Sequence, residues 1–134
     1  MNIENKLARD QIATCFDLLL EHFEKSIGNV ERRTRERVNY PLPVYLTPWN
    51  SGAEPDANET FGVIGRQLSE RGFDFFHYEP IPFKTVVVSF EYSPGRFVAL
   101  RMKLTWCRFG RHGYFENGGV FLDVVDSPLG AGPF

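Results

Sequence analysis

Residues 31–41 read ERRTRERVNYP and place four arginines within six consecutive positions. Arg33 and Arg37 are four apart, and Pro41 biases Tyr40 toward extended backbone. Extended chain advances about 3.3 Å per residue, so guanidiniums at this spacing reach roughly 13 Å apart and can hold an elongated dianion from both ends. Helical chain would instead stack them on one face, each repelling the other. The guanidinium fork binds phosphate bidentately, reads the O6/N7 edge of guanine, or stacks on a purine. Arg32 adds a third cation to the pair. The competing reading of such a run is a solvated linker face with no ligand.

A second group with chemistry in it is RQLSERG, residues 66–72, where an amide (Gln67) and a hydroxyl (Ser69) precede a sharp turn closed by Gly72. Ser69 with His77 or His112 makes no credible nucleophile and base, because no acid partner or oxyanion element accompanies them, so no enzyme activity is expected. His22, His77 and His112 are scattered without Cys or carboxylate at ligand spacing, and neither a metal nor a cofactor is expected.

The elements that must position these groups change character at Pro41. Before it, Ile12, Phe16, Leu19, Leu20, Phe23 and Ile27 form one apolar stripe, which predicts an amphipathic helix over residues 3–27 stopping at Gly28-Asn29. After it the apolar period is two. Strands are expected at 42–47, 61–68, 73–77, 84–92, 97–108 and 114–125, with a polar loop at 49–59. In the longest strand Val98, Leu100, Met102, Leu104 and Trp106 share one phase, which points Trp106 into the core and carries Arg108 with it unless Arg108 lies at a rim. Trp49, at the mouth of the polar loop, suits either stacking on a base or anchoring the loop. Gly118-Gly119 marks a bend in the last strand, and Gly72 is read as the residue that frees its turn from left-handed strain.

Six antiparallel strands in so short a chain are best hidden by closure. The expected fold is mainly β: a six-stranded antiparallel barrel preceded by an amphipathic helix. Its parts are a helical extension at 1–28, a barrel domain at 29–126 with the basic arm at 31–37, and a flexible tail at 127–134.

Composition narrows the class. With 134 residues, 43% hydrophobic and 13 of them Phe, the chain has material for one core and is not a disordered protein. A net charge of −2 restricts any anion site to a local patch and makes RNA or single-stranded DNA the weakest candidate partner. Two distant cysteines do not make a disulfide framework, and no signal peptide or membrane span is present in the pattern; a cytoplasmic protein is expected.

In order and spacing, RRTRER at 32–37 followed by QLSERG at 67–72 resembles the PilZ domain family, whose signature is an RxxxR arm and a D/N-x-S-x-x-G turn. GRQLSERGFDFFHYEPIP and LTWCRFGRHGYFENGGVF are similar to its second and third strands and to its closing pair, so the likeness spans most of 31–122. The resemblance implies a bacterial signalling effector that binds cyclic di-GMP, usually as an intercalated dimer. It assigns Arg33 and Arg37 to a clamp, Arg32 as auxiliary, Ser69 as hydroxyl partner and Gly72 as turn former. Gln67 stands where the family has Asp or Asn. A carboxylate accepts from both guanine N1–H and N2–H, whereas an amide offers one acceptor beside a donor, so Gln67 predicts weakened binding. The helix stripe suits either covering the barrel or joining a second copy, and the alternative function is a degenerate module that docks a protein partner through the stripe at Phe16, Leu20 and Phe23, without nucleotide.

Overall fold

The alternation that begins after Pro41 produces a sheet that closes on itself. The computed structural model describes residues 3–27 and 37–133, with helix side chains described from Lys6 to Phe23. Arg32, Arg33 and the expected stop at Gly28-Asn29 lie outside the described residues.

A single helix, α1 (Ile3–Ile27), precedes seven strands: β1 (Val38–Asn39), β2 (Pro43–Pro48), β3 (Phe61–Leu68), β4 (Gly72–His77), β5 (Thr85–Ser93), β6 (Arg96–Phe109) and β7 (Phe115–Val125). Pairing runs β3-β2-β5-β6-β7-β4, and β4 returns to β3. The result is a closed six-stranded antiparallel barrel with no free edge in the ring, plus β1 outside it. β1 pairs with the end of β3 (Val38↔Leu68, Asn39↔Gln67), while β2 takes its beginning (Pro43↔Ile64 to Leu46↔Phe61). Pro41, lacking an N–H, falls between the two, so the chain bends there but keeps to the same side of β3. Tyr40 N–H still donates to Arg66 O (3.0 Å), and Gly65 N–H to Leu42 O (2.9 Å).

Inward-facing residues of the strands fill the barrel with Phe73, Phe75, Phe90, Phe121, Leu100 and Met102, all almost wholly buried. The helix stripe joins the same core: Ile12, Phe16, Leu19, Leu20 and Phe23 are buried with these strand residues in one cluster. Phe23 packs on Tyr40 with ring centroids 5.0 Å apart, and Tyr40 meets Phe90 edge-on at 5.7 Å. Burial lifts the Tyr40 hydroxyl to about 12 and the Cys15 thiol to about 11. Because the stripe covers the barrel, Phe16, Leu20 and Phe23 are not presented to a partner or a second copy.

Trp106 departs from its expected place in the core. Alternation in β6 holds through Met102, but register shifts between Leu104 and Trp106 as Thr105 is inserted opposite Gly119 and Gly118. One extra residue reverses the facing of the strand beyond it. Trp106 therefore lies on the outer face, 39% exposed.

Of the two readings of Trp49, its contacts fit anchoring of the loop: its backbone N–H donates to Thr85 O (3.0 Å) and its ring lies 5.3 Å from the Arg101 guanidinium. Arg101 is itself paired with Asp123 at 2.9 Å. The tail, expected to be flexible, contacts the barrel through Ser127 Oγ to Ser89 Oγ (2.8 Å) and Ala131 O accepting from Phe97 N–H (3.0 Å). Among the described residues no helix is long and apolar enough to cross a membrane.

Candidate functional site

The turn between β3 and β4 is built by its own side chain. Ser69 Oγ accepts from the N–H groups of Arg71 (3.1 Å) and Gly72 (3.2 Å), and Ser69 N–H donates to Gly72 O (3.0 Å). These bonds fix a tight reversal through Glu70 and Arg71. Gly72 is required there, but not for the expected reason: its φ is not positive. A Cβ on Gly72 would run into the carbonyl oxygen of Gly119 on β7, so the need is close strand approach.

That turn sets the register beyond it. Leu68 faces Phe73 and Gln67 faces Asp74, until Arg66 is passed over as a bulge and Gly65 faces Phe75. On the other side of β4, Asp74 faces Gly118 of β7, which in turn faces Trp106 of β6. Phe73 and Phe75 point inward, so Gln67, Asp74, Gly118 and Trp106 form one row across the outside of four strands. Gly118 has no side chain to contribute. A Cβ there would overlap the Trp106 indole, which lies over it.

β1 brings Arg37, the one described residue of the basic segment, to this row. Arg37, exposed just before β1, donates from Nη1 to Gln67 Oε1 at 3.4 Å. Arg37, Gln67, Ser69, Arg71, Gly72, Asp74, Thr105, Trp106, Gly119 and Val120 line a pocket of about 180 Å³, together with Leu68 and Phe73. Arg66 Nη1 stands 3.5 Å from Asp74 Oδ2. At the far side Arg108 pairs with Glu116 and sits 5.7 Å from the Trp106 ring.

Asp74 is the least comfortable charge in the pocket. Burial raises its pKa above the ordinary carboxyl value, Arg37 and Arg66 pull it back, Glu116 raises it and Arg108 lowers it. The balance stays on the raised side, so the Asp74 carboxylate is short of partners that stabilise its charge.

All four expected site residues that fall among the described ones therefore meet in one pocket: Arg37, Gln67, Ser69 and Gly72. Sequence reasoning missed Asp74, Arg71 and the outward Trp106 as members of it. For Asp74 a signal existed. A two-residue turn between Ser69 and Gly72 forces Gln67 opposite Asp74 by simple counting. For Trp106 the signal was the glycine pair itself, which marked the bend without revealing that β6 carries the inserted residue.

The arrangement offers cations and an exposed indole around a single partly shielded carboxylate. It can bind an anion through guanidiniums, stack a flat base, and accept hydrogen bonds from that base. No family model, no curated protein and no solved structure matches the chain.

Proposed function

We propose that the protein is a PilZ-type effector that binds cyclic di-GMP between the arginine arm and the barrel. One observation carries the reading: the arm's Arg37 is hydrogen-bonded to Gln67 and shares a pocket with Ser69 and Gly72, although thirty residues of chain separate Arg37 from Gln67. Arg37 and the turn are thus neighbours in space, which supports the RxxxR and SxxG resemblance. In this reading Arg33 and Arg37 take the phosphates and guanine edges, Arg32 assists, and Trp106 offers its exposed face to a base. The Ser69 hydroxyl is occupied inside its own turn, so its part is to hold the turn's N–H groups in position.

Signal transfer has a short route. Arg37 is three residues from Tyr40, whose ring packs between Phe23 of α1 and Phe90 of β5. A ligand that pulls on Arg37 pulls on this contact and reorients α1 relative to the barrel.

The reading is tested by calorimetric titration with cyclic di-GMP of the native protein, Arg37→Ala, and Arg33→Ala/Arg37→Ala. Saturable binding by the native protein is expected. A hydrogen bond to a charged group contributes about 1.5–3 kcal/mol, so Arg37→Ala should weaken binding roughly 10- to 150-fold and the double variant should abolish it. Unchanged affinity in the double variant would remove the proposal.

A second reading, a protein-interaction module without nucleotide, is favoured by the exposed apolar side chains Ile64, Tyr78 and Tyr114 around a neighbouring groove of about 480 Å³. Silence of the native protein in the titration would favour it.

A further inference from the structure

The Gln67 amide is a poor reader of guanine, and its oxygen already accepts from Arg37. The adjacent strand places a better one beside it. Asp74 is the cross-strand partner of Gln67, points to the same outer face, lines the same pocket, and lies one strand from the Trp106-covered Gly118. We propose that Asp74 supplies the carboxylate that accepts the N1–H and N2–H of a guanine held in the pocket, with Gln67 acting only as the rest for Arg37. The inference rests on the cyclic di-GMP reading and deepens it by naming the residue that selects the base.

Three features support the assignment. Directly opposite residues of an antiparallel pair have Cβ atoms about 4.5–5.5 Å apart, so a ligand group that reaches Gln67 also reaches Asp74. The carboxylate is held loosely: its ion pair with Arg66 is 3.5 Å long, and its side chain is 19% exposed, so one edge remains open to the pocket. Burial leaves it short of stabilising partners, and two N–H donors from a base supply them. A phosphate cannot take that position, because its charge would face the carboxylate. Asp74 thereby orients the ligand, with guanine over the β4 and β7 rows and phosphates toward Arg37.

The test compares cyclic di-GMP with its inosine analogue, which keeps N1–H but lacks the exocyclic amine. Affinities of both are measured by calorimetry for the native protein and Asp74→Ala. The native protein should prefer the guanine ligand by about tenfold, the value of one good hydrogen bond, and Asp74→Ala should show a ratio near one. A ratio unchanged in Asp74→Ala overturns the assignment while leaving the cyclic di-GMP reading intact. Native protein that binds neither ligand overturns both. Should Asp74→Ala fail to fold, Asp74→Asn answers instead: a ratio near one supports the assignment. An unchanged ratio in a folded Asp74→Asn, or a native protein that binds the two ligands equally, overturns it.

Discussion

In the proposed site Gln67 and Asp74, cross-strand partners, divide between them what one acidic residue would do alone, and the division predicts the outcome of a simple exchange. If Gln67 were the weak reader of the base, Gln67→Asp would improve binding. Since Asp74 stands directly across the strand pair, the new carboxylate instead meets a like charge, a destabilising arrangement worth roughly 0.2–1 kcal/mol. It also draws Arg37 into a fixed ion pair and away from phosphate. Gln67→Asp should therefore bind cyclic di-GMP no more tightly than the native protein. Calorimetry with the two proteins side by side decides the matter, and a clear gain would return the base-reading role to position 67. The arginines, Gln67, Ser69 and Gly72 stood out in the sequence because their types are unusual together. Asp74 did not, because an acidic residue in an alternating strand is ordinarily just its solvated face.

At the scale of elements, the β3–β4 turn controls the site. Ser69 closes it, Gly72 lets β4 approach β7, and both together put Gln67 opposite Asp74. Gly72→Ala places a methyl against the Gly119 backbone, which cannot yield as a flexible side chain would. A cost of about 1–3 kcal/mol is expected from such overpacking, read as a lower urea midpoint at unchanged slope. An unchanged midpoint would mean that β4 and β7 separate freely. Strand positions were legible in the sequence because period two persists from residue 61 onward and turn residues punctuate it. Facing was less so. The Thr105 insertion in β6 changes no local propensity, yet it moves Trp106 from an expected core position to the pocket wall. Only the paired strand reveals such a slip, since register belongs to two strands and pattern to one.

Across the whole molecule, barrel and helix share one core. The helix was legible from its stripe, but not the surface the stripe would cover. Burial of Phe16, Leu20 and Phe23 against the strands answers that. Tyr40 follows Arg37 by three residues and its ring contacts Phe23 of the helix. Binding at the pocket should accordingly be felt in α1 as well as in β3, β4 and β7.

The most direct measurement is a titration of the isotope-labelled protein with cyclic di-GMP, read residue by residue through its amide and indole resonances. Nucleotide binding at the pocket predicts saturable shifts at Gln67 to Asp74, at Gly118 to Val120 and at the Trp106 indole, accompanied by shifts of Tyr40 and Phe23, with the Trp49 indole unmoved. A silent spectrum, or shifts confined to the Ile64 and Tyr114 groove, would contradict it.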